Sequence, residues 1–355
     1  MNEGIKSAPN TPKDRLGYVD AVRVFAMVMV ILLHCICDYS NHSGNFGRPL
    51  WWMTAFLNEL TRTGVPLFFM ISGFLLIESV DISDIGKFYK RRFSKVAVPF
   101  LIYNVFYYCY FKIRNGENLL DGQFFTQLVN NGSAYHLWFM YSLLLLYLFV
   151  PFIKMITEKS SPKILILFFV LTIFQTTLKP FFNILFGGKV YFFFAEDGVV
   201  GYMGYAVLGY ILGKYEIKWD KAIITLGLLA MPVFAVANFY GAIQGDGFVF
   251  SGGYTLNHYI EAAAMFLLFK NLNINKNKVL SLLSVLSFRA YLIHVFVIEL
   301  FKPAFDNFSP SVMMLAMFVL TLVLSFGWAY IVECFYKFIR RKKLKKDRHT
   351  KGVTA

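Results

Sequence analysis

Asp20-Ala-Val-Arg23-Val-Phe-Ala-Met-Val-Met-Val-Ile-Leu-Leu-His34 lies inside an apolar run that extends from residue 19 to residue 39. A helix needs about 20 residues to cross roughly 30 Å of hydrocarbon, so this run is long enough to span a bilayer. Asp20, Arg23 and His34 are costly inside hydrocarbon, and ionisable groups there mark a functional path by default. Arg23 and His34 are eleven positions apart, which puts them about 20° from eclipsed on one helix face and roughly 16 Å apart along its axis. Asp20, one turn before Arg23, is placed to pair with it or fix its rotamer. The face therefore offers an anion anchor at one end and a proton acceptor towards the other. Each residue also has a plainer reading. Arg23 alone is a side chain that snorkels to the interface, and His34 alone is an interhelical hydrogen bonder.

The rest of the chain repeats the apolar pattern. Its 355 residues are 57% apolar and 16% charged, with a mean hydropathy of +0.55. Soluble domains run near 45–50% apolar and about 25% charged. Forty Phe and an aromatic content of 19% exclude a disordered scaffold. Apolar runs between charge clusters give ten expected spans, near 19–39, 63–80, 96–113, 135–156, 162–182, 198–214, 221–240, 258–270, 281–301 and 311–336. The second is preceded by an amphipathic stretch, Trp51–Leu60, and the eighth is short. The fold class expected is all-α, a polytopic integral membrane protein of about ten helices. Residues 1–17 read as a polar tail, 18–337 as one membrane domain and 338–355 as a basic tail. The first run does not read as a cleaved signal peptide, because charges stand at its start and no small-residue cleavage site follows.

The net charge of +14 is distributed as orientation signals rather than as a nucleic-acid groove. With the N-terminus inside, 26 Lys and Arg fall on the inner side and 7 on the outer, so both termini are expected in the cytoplasm. The basic tail, with Arg340, Arg341, Lys342 and Lys343, reads as an anchor touching anionic lipid. Cys35, Cys37, Cys109 and Cys334 lie in or beside apolar runs, with no CxxC and no HExxH. No disulfide framework and no metal are expected.

Two further groups of polar residues stand out. Lys90, Arg91, Arg92 and Lys95 fall within two helical turns on the inner side, ahead of Pro99. That spacing suits a polyphosphate, and equally suits ordinary positive-inside charges. On the outer half lie His136, His258 and His294 with Glu59, Arg62, Glu261 and Glu299. They read either as a polar cavity or as residues of the headgroup zone. Trp138 has the same two readings, a platform for a sugar face or an interfacial Trp.

Together these stretches resemble the acyltransferase family 3 membrane proteins. Asp20-Ala-Val-Arg23 followed by His34 is similar to the family's opening motif, and Val65-Pro-Leu-Phe-Phe-Met-Ile-Ser72-Gly73 to its second-span signature. Phe88 to Pro99 resembles its basic segment, Tyr135-His136-Leu-Trp138-Phe the beginning of its fourth span, and Ser287 to His294 an element of its ninth. The closest look is to the stand-alone enterobacterial-common-antigen O-acetyltransferase type. The resemblance covers most of the chain in the family's order. It implies a multi-pass enzyme of the bacterial inner membrane that moves an acetyl group from cytoplasmic acetyl-CoA to a hydroxyl of a cell-surface glycan or glycolipid.

Carried over by position, His34 is the essential histidine and Arg23 its basic partner. Arg92 and Lys95 fall on a basic pair whose second member is usually Arg, so Lys95 keeps charge but not bidentate geometry. On this reading His34, with Asp20, carries the catalysis. Arg23, Arg91, Arg92 and Lys95 hold the coenzyme, and Arg62, His136, Trp138, Glu261 and His294 face the acceptor. His34 serves either as general base or as the carrier of a covalent acetyl group. The rival class is a carrier or flippase for a small solute or lipid-linked sugar, since buried Arg, His and Glu also serve proton-coupled transport. A basic cluster on one side only favours the transferase. A non-catalytic scaffold would leave the intramembrane charges without a role.

Overall fold

The computed structural model describes residues 17–130, 132–159, 163–174, 198–244, 252–253, 255–272 and 274–352. Among these residues the structure is helical with no strand. The helices are α1 (Gly17–Asn41), α2 (Pro49–Arg62), α3 (Gly64–Ser79), α4 (Ile85–Arg114), α5 (Phe124–Asn130), α6 (Trp138–Lys159), α7 (Lys163–Phe174), α8 (Gly198–Lys214), α9 (Asp220–Gln244), α10 (Leu256–Asn271), α11 (Lys278–Phe301) and α12 (Pro310–Gly352).

Local sequence sets many of the helix starts. Pro49 opens α2, where its missing N–H and fixed φ cost nothing. Asp84 caps α4 by accepting from the Lys87 N–H at 3.0 Å, and Asn277 caps α11 by accepting from the Leu280 N–H at 2.7 Å. The amphipathic stretch before the second expected span is α2. Only Thr63 separates it from α3, so the two make one segment, Pro49–Ser79.

Among the described residues, seven segments are long and apolar enough to cross a membrane: Gly17–Asn41, Pro49–Ser79, Ile82–Arg114, Tyr135–Glu158, Asp220–Gly241, Lys278–Phe305 and Pro310–Arg340. Their pattern is that of a membrane protein. Each of the ten expected runs overlaps a described helix, and seven segments meet the length and apolarity of a span among the described residues. Helices α8 and α10 have 17 and 16 residues, and the fifth expected run is described only over 163–174. The two short helices sit inside the bundle. In α10, Asn257, His258, Tyr259 and every residue from Glu261 to Leu267 are buried. A helix walled by protein has no lipid thickness to match along its whole length.

The packing is centred on α1, which meets α2, α3, α10, α11 and α12. Helices α3 and α8 approach most closely, through small residues. A Cβ on Gly73 would stand 1.9 Å from the Ala206 carbonyl oxygen, and one on Gly209 2.2 Å from that of Met70. Such approaches let helices associate by backbone packing where lipid supplies no hydrophobic drive. Helices α9 and α12 lie outside, with Leu226, Leu229, Val233, Leu315, Val319, Val323 and Ile331 exposed. That apolar exterior suits hydrocarbon, not water.

One end of the bundle is tied by polar contacts. Lys214 pairs with Glu78 at 2.6 Å, Lys270 donates to the Leu212 and Tyr215 carbonyls, and Asn271 donates to Asp220. The basic stretch of α4 begins at this end. At the other end Lys302 pairs with Asp38 and Arg114 with Glu299, at 2.6 and 2.7 Å. Helix α12 runs through residue 337 and on to Gly352.

Candidate functional site

Helices α1 and α11 run side by side, pinned by two hydrogen bonds one turn apart. The Ser281 hydroxyl donates to Asp20 at 2.8 Å, and Arg23 donates to the Ser284 hydroxyl at 3.0 Å. Asp20 is thus buried on the helix seam, fourteen positions and about 21 Å from His34. The expectation that Asp20 acts together with His34 is not met by the geometry. Its carboxylate orients the start of α1, one turn from the guanidinium of Arg23.

Beside Arg23 opens a cavity of about 220 Å³. Arg23, Arg92 and Lys95 are its charged lining, and no acidic residue lines it. Its other walls are mainly aromatic and aliphatic, including Phe139, Leu143 and Phe288, with Ser72 from α3 and Tyr291 from α11. The Arg92 guanidinium stands 5.8 Å over the Phe88 ring and reaches the Ser79 hydroxyl at 3.5 Å. Arg91, expected in the same group, is exposed and does not line the cavity. A helix explains the split, since neighbouring residues point about 100° apart. Three cations around an apolar slot form a place for an anionic head with an uncharged tail.

Tyr291 also packs against a group of histidines. Its ring centroid is 5.4 Å from that of His136 and 5.6 Å from that of His294, and its hydroxyl donates to the His136 backbone carbonyl. His34 completes the group: its ring is 5.2 Å from His294, and His294 is 5.0 Å from His136. Helices α1 and α11 and the short turn before α6 thereby bring together three histidines widely separated in sequence. His136 and His294 are buried, whereas His34 is half-buried and stacks at 5.2 Å on the exposed Tyr135.

The α11 ladder is opened beside this group. The Tyr107 hydroxyl accepts from the Phe296 N–H at 3.1 Å and donates to the Leu292 carbonyl at 3.0 Å, two groups that pair directly in an unbroken helix. His294 Nδ1 lies 2.5 Å from the Tyr291 carbonyl. A carbonyl only accepts, so Nδ1 carries the proton of the neutral ring. Nε2 is left as a bare acceptor, buried without a hydrogen-bond partner.

The remaining expected residues go elsewhere. Trp138 stacks on Tyr202 at 5.2 Å. Glu261 joins Glu59 and His258 in a separate buried cluster between α2 and α10. Arg62, at the end of α2, is electrostatically coupled both to His34 and to Glu59. The site residues missed in the sequence are the tyrosines Tyr107, Tyr135 and Tyr291. With 21 Tyr in the chain no one of them is conspicuous. Only the proximity of Tyr135 and Tyr291 to the motif histidines marked them.

The sequence model of the acyltransferase-3 family, described as an acyltransferase domain, matches residues 16–334. Curated relatives include glucans biosynthesis protein C of Salmonella paratyphi B, of Salmonella enteritidis PT4 and of Salmonella gallinarum. Each is 29% identical over 94 residues, which is 26% of this chain and 24% of the relative. The chain therefore matches about a quarter of the length of these relatives. No solved structure matches.

Proposed function

Since this chain belongs to the acyltransferase-3 family, we propose that it is a membrane O-acyltransferase of the bacterial inner membrane. It moves a short acyl group, acetyl, from cytoplasmic acyl-CoA to a hydroxyl of a cell-surface polysaccharide or lipid-linked glycan. One observation supports the reading: Tyr291 lines the cavity of Arg23, Arg92 and Lys95, and its ring also packs against those of His136 and His294. The proposed phosphate site and the proposed proton acceptor are thus linked through one shared side chain.

On this reading the basic end faces the cytoplasm, as the positive-inside distribution of Lys and Arg favours. Arg92 and Arg23 hold the coenzyme's phosphates, with Lys95 as a point charge at the rim. The uncharged pantetheine arm lies along the apolar slot and presents its thioester near Tyr291. His34, the half-exposed ring of the three, takes the proton of the acceptor hydroxyl as its oxygen attacks the thioester carbonyl. The carbon–sulfur bond breaks, and the thiolate recovers the proton from the imidazolium. Arg62 is the cation coupled to His34 and suits the oxyanion or a polar group of the acceptor. Asp20 acts on Arg23 through the shared α1–α11 seam. The name of the Salmonella relatives makes a glucan the first acceptor to try; the enterobacterial-common-antigen glycan is the second.

Inside-out membrane vesicles supplied with acetyl-labelled acetyl-CoA test this reading. Label entering extractable glycan, and absent from vesicles of a strain lacking the protein, supports it. No label despite demonstrated acceptor points instead to a carrier for the glycan or a small solute.

A further inference from the structure

The cluster that takes Glu261 away from His34 has a chemistry of its own. Glu59 on α2 and His258 and Glu261 on α10 each offer one ligand atom, all within 4.8 Å of one another. The residues are 2%, 0% and 0% exposed. His258 Nδ1 lies 2.8 Å from Glu261 Oε2 and 3.9 Å from Glu59 Oε2. The first separation is that of a hydrogen bond, and the second is too long for one. On zinc with ligands at about 2.0–2.2 Å, neighbouring ligand atoms stand roughly 3.3–3.6 Å apart, so an ion would spread the first pair and draw in the second.

The surroundings orient these groups. The Asn238 side-chain amide on α9 donates to Glu59 Oε1 at 2.7 Å, and that of Asn257 reaches Oε2 at 3.4 Å. Outer partners of this kind fix metal-ligating carboxylates. One more oxygen of the cluster, Glu261 Oε1, is buried without a hydrogen-bond partner among the described residues. Buried acceptors in native proteins are filled as a rule, so the cluster has capacity that the protein itself leaves unused. The charges agree. Among the described residues Arg62 acts on Glu59, and a second carboxylate buried beside the first calls for a proton or a bound cation. A proton satisfies only the short His258–Glu261 contact. A cation draws on all three side chains.

We propose that Glu59, His258 and Glu261 bind a divalent transition-metal ion, and that the ion fastens α2 to α10. Two carboxylates with one imidazole suit zinc better than magnesium or calcium, which favour oxygen ligands throughout. Three protein ligands leave one position of a tetrahedral zinc to water or another group, and full burial keeps that position inside the α2–α10 seam. The inference is independent of the acyl-transfer reading, because none of the three residues lines the basic cavity.

The full chain, purified into lipid nanodiscs without chelator, is the material for the test. Metal content is measured by mass spectrometry and ligand type by X-ray absorption at the zinc edge. The protein is then stripped and titrated with zinc alone. The wild type is expected to hold about one ion per chain through nitrogen and oxygen ligands only. Glu261→Gln and Glu59→Gln should each weaken zinc binding about tenfold or more, while His42→Gln, on an exposed loop, should leave it unchanged. Should the glutamine variants fail to fold, the wild-type titration and edge spectrum still decide. A wild type that neither retains nor takes up zinc overturns the proposal. Sulfur ligands in the spectrum, or binding indifferent to both substitutions in folded protein, overturn it equally. So does an infrared band of protonated carboxylic acid that Glu261→Gln removes and zinc does not.

Discussion

His34 on α1 and His294 on α11 face one another with ring centroids 5.2 Å apart, and the second ring's tautomer is set by its own helix. The Tyr291 carbonyl keeps the proton on His294 Nδ1, so the nitrogen left bare, Nε2, can accept but not donate. The bare Nε2 can accept a hydrogen bond from a ring N–H of His34, which leaves the other His34 nitrogen free to act as the base, and His34 is the half-exposed ring while His294 is fully buried. His294→Ala is therefore expected to lower turnover less than loss of His34, for which general-base catalysis sets a scale of roughly 10²–10⁴-fold. Coenzyme affinity should be unchanged. Steady-state kinetics with separate binding measurements check both parts.

The cation-lined cavity makes a different prediction. Arg92→Ala removes a charge-assisted hydrogen-bond donor worth about 1.5–3 kcal/mol, so acyl-CoA affinity should fall by about ten- to a hundredfold. Arg92→Lys keeps the charge without the planar fork and should fall between wild type and alanine. Arg91→Ala, whose side chain lies outside the cavity, should change affinity little. Calorimetric titration with coenzyme A in detergent distinguishes the three.

Glycine at the α3–α8 crossing is a packing requirement. A methyl at Gly73 would meet the Ala206 carbonyl oxygen at 1.9 Å, whereas one at Gly327 on α12 meets nothing within 4 Å. Gly73→Ala should destabilise the protein by about 1–3 kcal/mol or more as the helices are forced apart. Gly327→Ala should be neutral or slightly stabilising, because alanine is the better helix former. Thermal unfolding of the two variants in one detergent gives the comparison.

The turn between α4 and α5 is closed by charge. Lys112 holds Asp121 at 2.6 Å and Glu117 at 2.6 Å, and Tyr108 donates to Asp121 as well. The Lys112 ammonium and then the Tyr108 hydroxyl hold the Asp121 carboxyl below its ordinary value, at about 2. A carboxyl whose folded value is depressed stabilises the fold above its unfolded value, near 3.9, and that contribution is lost as pH falls towards about 2. Protease sensitivity of the segment 115–123 should therefore rise between about pH 4 and pH 2. Asp121→Asn should show the raised sensitivity already at neutral pH.

The α1 face was legible because it needs only helix geometry: Arg23 and His34 share one helix, and spacing fixes their relation. The all-helical, membrane-type architecture was legible for a similar reason, from apolar length between charge clusters. Asp20 was misplaced because its partner, Ser281, is 261 positions away, and spacing along one helix cannot reveal a seam between two. Glu261 was read with the histidines by depth alone. Depth does not fix direction, and α10 turns Glu261 towards Glu59 on α2. Tyr291 lines the cavity and contacts the histidine group through its ring and hydroxyl, yet in a chain so rich in aromatics its type carried no signal.

The account rests on the route from Arg92 to His34, and the most direct test separates its two ends. Wild type, Arg92→Ala and His34→Ala are reconstituted in nanodiscs, and acetyl-CoA binding and acetyl transfer to isolated glycan are measured on the same samples. The route predicts that His34→Ala binds acetyl-CoA like wild type but loses transfer by roughly 10²–10⁴-fold, while Arg92→Ala loses binding first and recovers transfer at high acetyl-CoA. Near-normal transfer by His34→Ala, at wild-type levels of folded protein, would contradict it.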